Sequence, residues 1–207
     1  MHARRGVLIG LGLLASTLAA AQPRPARPAS GPGISASQRA MAGSMLSVFL
    51  SRAPAGARLA IARPADPAAL AIVVLEPAST VPTIQTPGEP GRYELRLTVD
   101  RDGQPVILLR QPLETTMPSA TLAAPARAGR SQTFPVRGIG PNGERDRIVI
   151  VPTGAAVDAP GPFFLPHENV EATLETPDQP GSYELRYVMD APLSGRRILA
   201  TRTLTVD

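Results

Sequence analysis

Thr86-Pro87-Gly88-Glu89-Pro90-Gly91-Arg92-Tyr93-Glu94-Leu95-Arg96 returns ninety residues later, ungapped, as Thr176-Pro177-Asp178-Gln179-Pro180-Gly181-Ser182-Tyr183-Glu184-Leu185-Arg186. In both copies Pro and Gly set a tight turn and a strand starts at the Tyr. Tyr93, Leu95, Leu97 and Val99 alternate with Glu94, Arg96 and Thr98. Tyr183, Leu185, Tyr187 and Met189 alternate with Glu184, Arg186 and Val188. A period of two with one mainly apolar face is a strand lying on a core. A unit that occurs twice in 207 residues predicts two small domains rather than one large one.

The Tyr just after Pro90-Gly91, and again after Pro180-Gly181, matches the tyrosine corner of Ig-like sandwiches, whose hydroxyl bonds back to nearby backbone. The expected fold is all-β: two tandem Ig-like antiparallel β-sandwiches. Pro90, Gly91, Tyr93, Pro180, Gly181 and Tyr183 are its structural markers.

Residues 1–21 read as a secretory signal peptide. Arg4-Arg5 precede the apolar run from Gly6 to Leu18, and Ala19-Ala20-Ala21 supply the cleavage site, so the mature chain should begin at Gln22. The run is too short for a membrane span, and no stable span is expected after cleavage. Residues 22–35, rich in Pro, Arg and Ala, form a tether that buries too little apolar surface to order itself. The first sandwich is expected over 36–115, a linker over 116–120, and the second sandwich over 121–207. Ser37–Ser47 also tolerates a short helix. Leu70 to Leu75 is nearly all apolar and reads as a strand buried on both faces.

Composition narrows the chemistry. Every one of the 21 basic residues is Arg, as a GC-rich genome would favour. Loss of Arg4 and Arg5 lowers the net charge from +4 to +2, a small excess for a nucleic-acid surface. Aromatics are only 3%, with no Trp, so platforms for stacking bases are scarce. With no Cys there is no disulfide, thiolate nucleophile or Cys metal site. His167 is the one His of the mature chain, and no Gly-x-Ser-x-Gly elbow, HExxH or phosphate loop is present. Asp100-x-Asp102-Gly103 starts like a calcium loop, but Gln111 stands at the twelfth position, so it reads as a hairpin turn. No catalytic, metal or cofactor site is expected.

Two sets of residues are candidates for interaction. Glu94/Arg96 and Glu184/Arg186 leave the same sheet face in each copy. They read as a solvated face with cross-strand ion pairs, or as a recognition stripe used twice. Phe163-Phe164, in the long irregular segment from Gly154 to His167, reads as a plug for the core or the domain junction, or as a binding surface.

Ala128-Gly129, Gly138-x-Gly140-Pro141, Asp146-x-Ile148-x-Ile150 and Pro180-Gly181-x-Tyr183-Glu184-Leu185-Arg186-Tyr187 together resemble a known module. It is similar to the Ig-like repeats that accompany von Willebrand factor A domains in secreted proteobacterial proteins. The A domain itself is absent, because no Asp-x-Ser-x-Ser metal site occurs. The resemblance implies the sandwich fold and a bacterial periplasmic or secreted setting, and no catalytic or metal residue. The expected function is a non-catalytic binding or assembly module recognising a protein partner, such as a von Willebrand A-type protein. The alternative is a two-domain periplasmic chaperone donating a strand edge to a subunit. An enzyme fits least.

Overall fold

The computed structural model describes residues Gly31–Asp207. The expected signal peptide and the tether up to residue 30 lie outside the described residues. The first half contains β1 (Gly33–Ala36), β2 (Arg39–Met41), β3 (Met45–Ser51), β4 (Arg58–Ala62), β5 (Val73–Leu75), β6 (Thr83–Gln85), β7 (Gly91–Arg101) and β8 (Gln104–Thr116). The second contains β9 (Thr121–Ala123), β10 (Arg127–Ala128), β11 (Thr133–Ile139), β12 (Arg147–Pro152), β13 (Phe163–Phe164), β14 (Glu171–Glu175), β15 (Gly181–Ala191) and β16 (Gly195–Val206).

In the first half a three-stranded sheet, β1-β3-β6, faces a five-stranded one, β2-β8-β7-β4-β5. In the second, β14-β11-β9 faces β10-β16-β15-β12-β13. Each pair of sheets closes on its own core. Leu46, Val48 and Ile84 meet Leu59, Ile61, Leu95 and Leu97 in one; Phe134, Val136 and Leu174 meet Ile148, Ile150, Leu185 and Leu204 in the other. The protein is two tandem β-sandwiches, as the period-two pattern and the repeat predict.

Four details differ from the sequence reading. Gly33–Ala36 pairs with β3, so residues 33–35 belong to the first sandwich and not to the tether. Ile34 packs on that core and gives the segment its reason to order. The helical alternative for 37–47 does not hold: the chain crosses between sheets at Ser37-Gln38, then turns at Gly43 with φ of 83°. The sheets are not wholly antiparallel either. In each half a short strand, β2 or β10, runs parallel to the last strand of the same half. Finally, Leu70–Leu75 is not a doubly buried strand. Only Val73–Leu75 pairs, at the sheet edge, and Leu70 and Val74 are more than half exposed.

Other local expectations are met. Asp102 and Gly103 both take positive φ at the β7–β8 hairpin, and Gly103 N–H donates to Asp100 Oδ1 at 2.8 Å. Pro135 lies where β9, which begins its pairing at Arg137, leaves β11 without a neighbour on that side.

The halves meet through the first copy of the repeated turn. Gly88 N–H donates to Pro192 O at 2.8 Å, and Gln85 Nε2 donates to Gly43 O at 3.1 Å and Asp190 O at 3.2 Å. Thr86, Pro87 and Gly88 are buried there, and a Cβ on Gly88 would run into Ser194 and Ala191. In the second copy Asp178 takes the place of Gly88 and is exposed. Replacing Gly88 by Asp should therefore part the two sandwiches without unfolding either, because the two core clusters share no residue. It removes one backbone bond, about 1 kcal/mol. Small-angle scattering should show a longer particle, and residues 121–207 alone should keep their β circular dichroism. An unchanged scattering profile would contradict the junction's dependence on Gly88.

Candidate functional site

The tyrosine corners form in both copies. Tyr93 hydroxyl donates to Glu89 O at 3.2 Å, and Tyr183 hydroxyl to Gln179 O at 3.0 Å. Burial pushes the Tyr93 phenol above its usual range, with the Glu89 charge adding to it. Sequence reasoning missed the Thr that opens each motif. Thr86 Oγ1 lies 3.1 Å from Met41 O and 3.0 Å from Ser44 O; Thr176 Oγ1 lies 2.6 Å from Gly129 O and 3.3 Å from Gln132 O. Both threonines are buried and tie the repeated turn to the earlier turn that leads into β3 or β11.

The repeated Glu–Arg pair is neither a solvated face nor a recognition stripe at its Arg. Arg96 is 1% exposed and Arg186 is 4% exposed. Arg96 donates to Arg63 O at 2.8 Å, Asp66 O at 2.9 Å and Pro67 O at 3.1 Å, and its Nε lies 3.0 Å from Glu94. Arg186 donates to Ala155 O at 2.7 Å, Ala156 O at 3.1 Å and Glu184 at 2.7 Å. The loops after β4 and β12 thus fold over the outer sheet face, and one guanidinium in each half collects their carbonyls. This suits the five fixed donors of Arg and would not suit Lys. In the second half the loop also brings Ala155, Val157 and Ala159 onto Val149, Val151 and Val188.

A second polar cluster lies at the junction end of the second sandwich. Asp146 is fully buried. It accepts from Gly143 N–H and Asp190 N–H, each at 2.9 Å, and from Tyr187 hydroxyl at 2.9 Å. Tyr187 hydroxyl in turn accepts from Asn142 N–H at 2.8 Å. Burial raises the Asp146 carboxyl above the ordinary range, against the pull of its hydrogen bonds, and pushes the Tyr187 phenol strongly upward. The cluster fixes the Gly138–Gly143 loop where Gly143 meets Gly43 and Gln85.

Phe163 and Phe164 divide between the two expected roles. Phe164 packs on the core of the second sandwich, whereas Phe163 is 54% exposed. Phe163 borders a cleft of about 330 Å³ with Leu165, buried Val188, Arg145, Arg147 and Arg196. Two acids also line it, Glu144 and Asp190, and Asp190 is held by Arg145 at 3.4 Å and Arg196 at 3.3 Å. Arg147 donates to Val157 O at 3.2 Å, and its buried Nε has no partner. A cleft of about 410 Å³ at the far pole of the first sandwich is lined mainly by Ala, Pro and backbone around Arg52, and offers little side-chain chemistry.

His167 has Glu168 at 4.0 Å as its acidic neighbour. Among the described residues no three His, Cys, Asp or Glu gather to hold a metal, and no helix is long and apolar enough to cross a membrane.

No family model and no curated relative matches the sequence. Solved structures similar to the chain include the human OSCAR ligand-binding domain, at 17% identity and TM-score 0.31, covering 84% of this chain and 97% of that one. Another is a titin I-band fragment, at 9% identity and TM-score 0.32, covering 86% and 66%. A third is the Yersinia pseudotuberculosis adhesin InvE, at 15% identity and TM-score 0.29, covering 85% and 58%. At such scores they decide nothing about function, and the fold rests on the strand pairing itself.

Proposed function

We propose that the chain is an exported, non-catalytic binding or assembly module that recognises a protein partner through its second sandwich. The observation that carries this reading is the separation of Phe163 from Phe164. Adjacent residues of one short strand, they send one ring into the core and leave the other exposed over a cleft. An exposed aromatic beside Arg at a concave site is the residue pairing on which protein contacts concentrate. The other distinctive polar groups, Arg96, Arg186, Asp146 and Tyr187, already hold loops or the junction. The signal-type N-terminus supports export to the periplasm or beyond, and the sequence resemblance makes a von Willebrand A-type protein the first partner to try.

Strand donation has less support. The outer edge of β8 has no paired strand from Gln104 to Arg110, but Pro105 and a bulge opposite Leu97/Thr98 obstruct an added one.

The test is affinity purification of tagged, exported protein from its native host. Phe163→Ser should lose a partner that wild type and Val74→Ser retain, Val74 being the matching exposed position of the first sandwich. A partner retained equally by all three would contradict this reading.

A further inference from the structure

The two halves differ at one ion pair, and the difference points to the chemistry of the partner. Counted from the repeated Tyr, Thr98 and Val188 hold the same place in β7 and β15. Arg58 stands opposite Thr98, and Arg147 opposite Val188. The next residues, Leu59 and Ile148, stand opposite Leu75 and Phe164 on the edge strands. Glu76 and Leu165 follow these and so share one place. In the first half Arg58 Nε reaches Glu76 Oε1 at 3.2 Å. In the second, Leu165 has replaced the acid, and Arg147 has no carboxylate partner among the described residues.

The rest of the cleft does not make up the loss. Asp190 is already shared by Arg145 and Arg196, and Glu144 leaves the lining with three Arg against two acids. Leu165, Phe163 and Val188 give it an apolar floor and wall. Arg147 is half-buried with the Val157 carbonyl as its acceptor, and a carboxylate is the natural complement of a guanidinium.

We propose that the cleft takes an acidic segment of a partner protein. An Asp or Glu carboxylate of that segment supplies to Arg147 the charge that Glu76 supplies to Arg58, and an adjacent apolar side chain lies on Phe163 and Leu165. The proposal rests on the reading of the second sandwich as a protein-binding module and adds the chemistry of what it binds.

The experiment titrates the mature full chain with fluorescein-labelled nonapeptides carrying one Asp or Glu beside Leu or Phe, and with the same peptides bearing Asn or Gln. Polarisation should show the acidic set binding about tenfold or more tightly than the amide set, with affinity falling as salt rises. Leu165→Glu restores the internal acid and should abolish binding at an unchanged melting temperature. Arg147→Gln should also abolish binding, with a small drop in melting temperature from the lost bond to Val157 O, and covers the case in which Leu165→Glu fails to fold. Equal binding of acidic and amide peptides, or undiminished binding by both variants, would overturn the acidic specificity while leaving a protein-binding cleft in place. Failure of every peptide to bind would overturn it too, as would Arg147-dependent binding of phosphatidylglycerol vesicles in place of peptides. A partner that Phe163→Ser retains as well as wild type in native purification is the separate result that removes the underlying reading.

Discussion

Arg96→Ala should destabilise the first sandwich by about 3–5 kcal/mol, the cost of breaking a buried, hydrogen-bonded ionic group. The substitution removes the donors of three loop carbonyls, Arg63 O, Asp66 O and Pro67 O, and one of the two cations on Glu94. Arg110 remains at 2.7 Å from Glu94 and keeps that carboxylate from being stranded, which limits the loss. The carbonyls have no such reserve. Denaturant melts should give the loss, and hydrogen exchange should show residues 63–70 opening ahead of the core. Arg96→Lys should recover only part, since one ammonium cannot span the three carbonyls in the planar geometry of the guanidinium. A loss under about 1 kcal/mol, the range of an exposed ion pair, would return Arg96 to the role of a surface charge.

Tyr187→Phe should cost about 2–3 kcal/mol at neutral pH, because a buried carboxylate loses its hydroxyl donor and Asn142 N–H loses its acceptor. Tyr183→Phe should cost about 1 kcal/mol, since that hydroxyl makes one bond to an exposed carbonyl. The alternation along the strand places the two tyrosines on one face and would rank the corner residue higher; the Asp146 cluster reverses the order. The Tyr187 loss should also depend on pH. The Asp146 carboxyl titrates above its unfolded value, so the folded protein takes up its proton first as pH falls. Stability therefore gains on acidification through the folded value, down to the unfolded one. Tyr187 favours the charged form, so its removal matters most while Asp146 is ionised. The difference between wild type and Tyr187→Phe should shrink as pH falls through that window. A difference that is constant with pH would place the Tyr187 contribution in packing.

What could be read from the chain was whatever depended on local period and turn chemistry. Tyr93 and Tyr183 mark their corners because Pro-Gly and the alternation lie within a few residues of them. The roles of Arg96 and Arg186 were not legible, because alternation tells which sheet face a side chain leaves but not whether a loop then covers that face. A signal for the covering existed. Leu59-Ala60-Ile61-Ala62 and Ile148-Val149-Ile150-Val151 are unbroken apolar runs, and all eight residues are buried. A strand without a polar face is a strand covered on both sides. The Asp146–Tyr187 bond joins residues 41 apart, and nothing local marks it. The exchange of Glu76 for Leu165 was hidden for another reason. The repeat offset of ninety residues holds along β7 and β15 but shortens by one at β4 and β12, so the matching positions emerge only from the sheet register.

In the proposed function the second sandwich meets a partner through Phe163 and Arg147, while in the matching surface of the first Arg58 already has its own acid, Glu76. A photoreactive phenylalanine placed at position 163, and separately at position 74, tests this in the exported protein under native expression. A discrete crosslinked protein adduct should form from position 163, be lost when Arg147→Gln is added, and not form from position 74. Adducts of equal yield from both positions, or from position 74 alone, would contradict it.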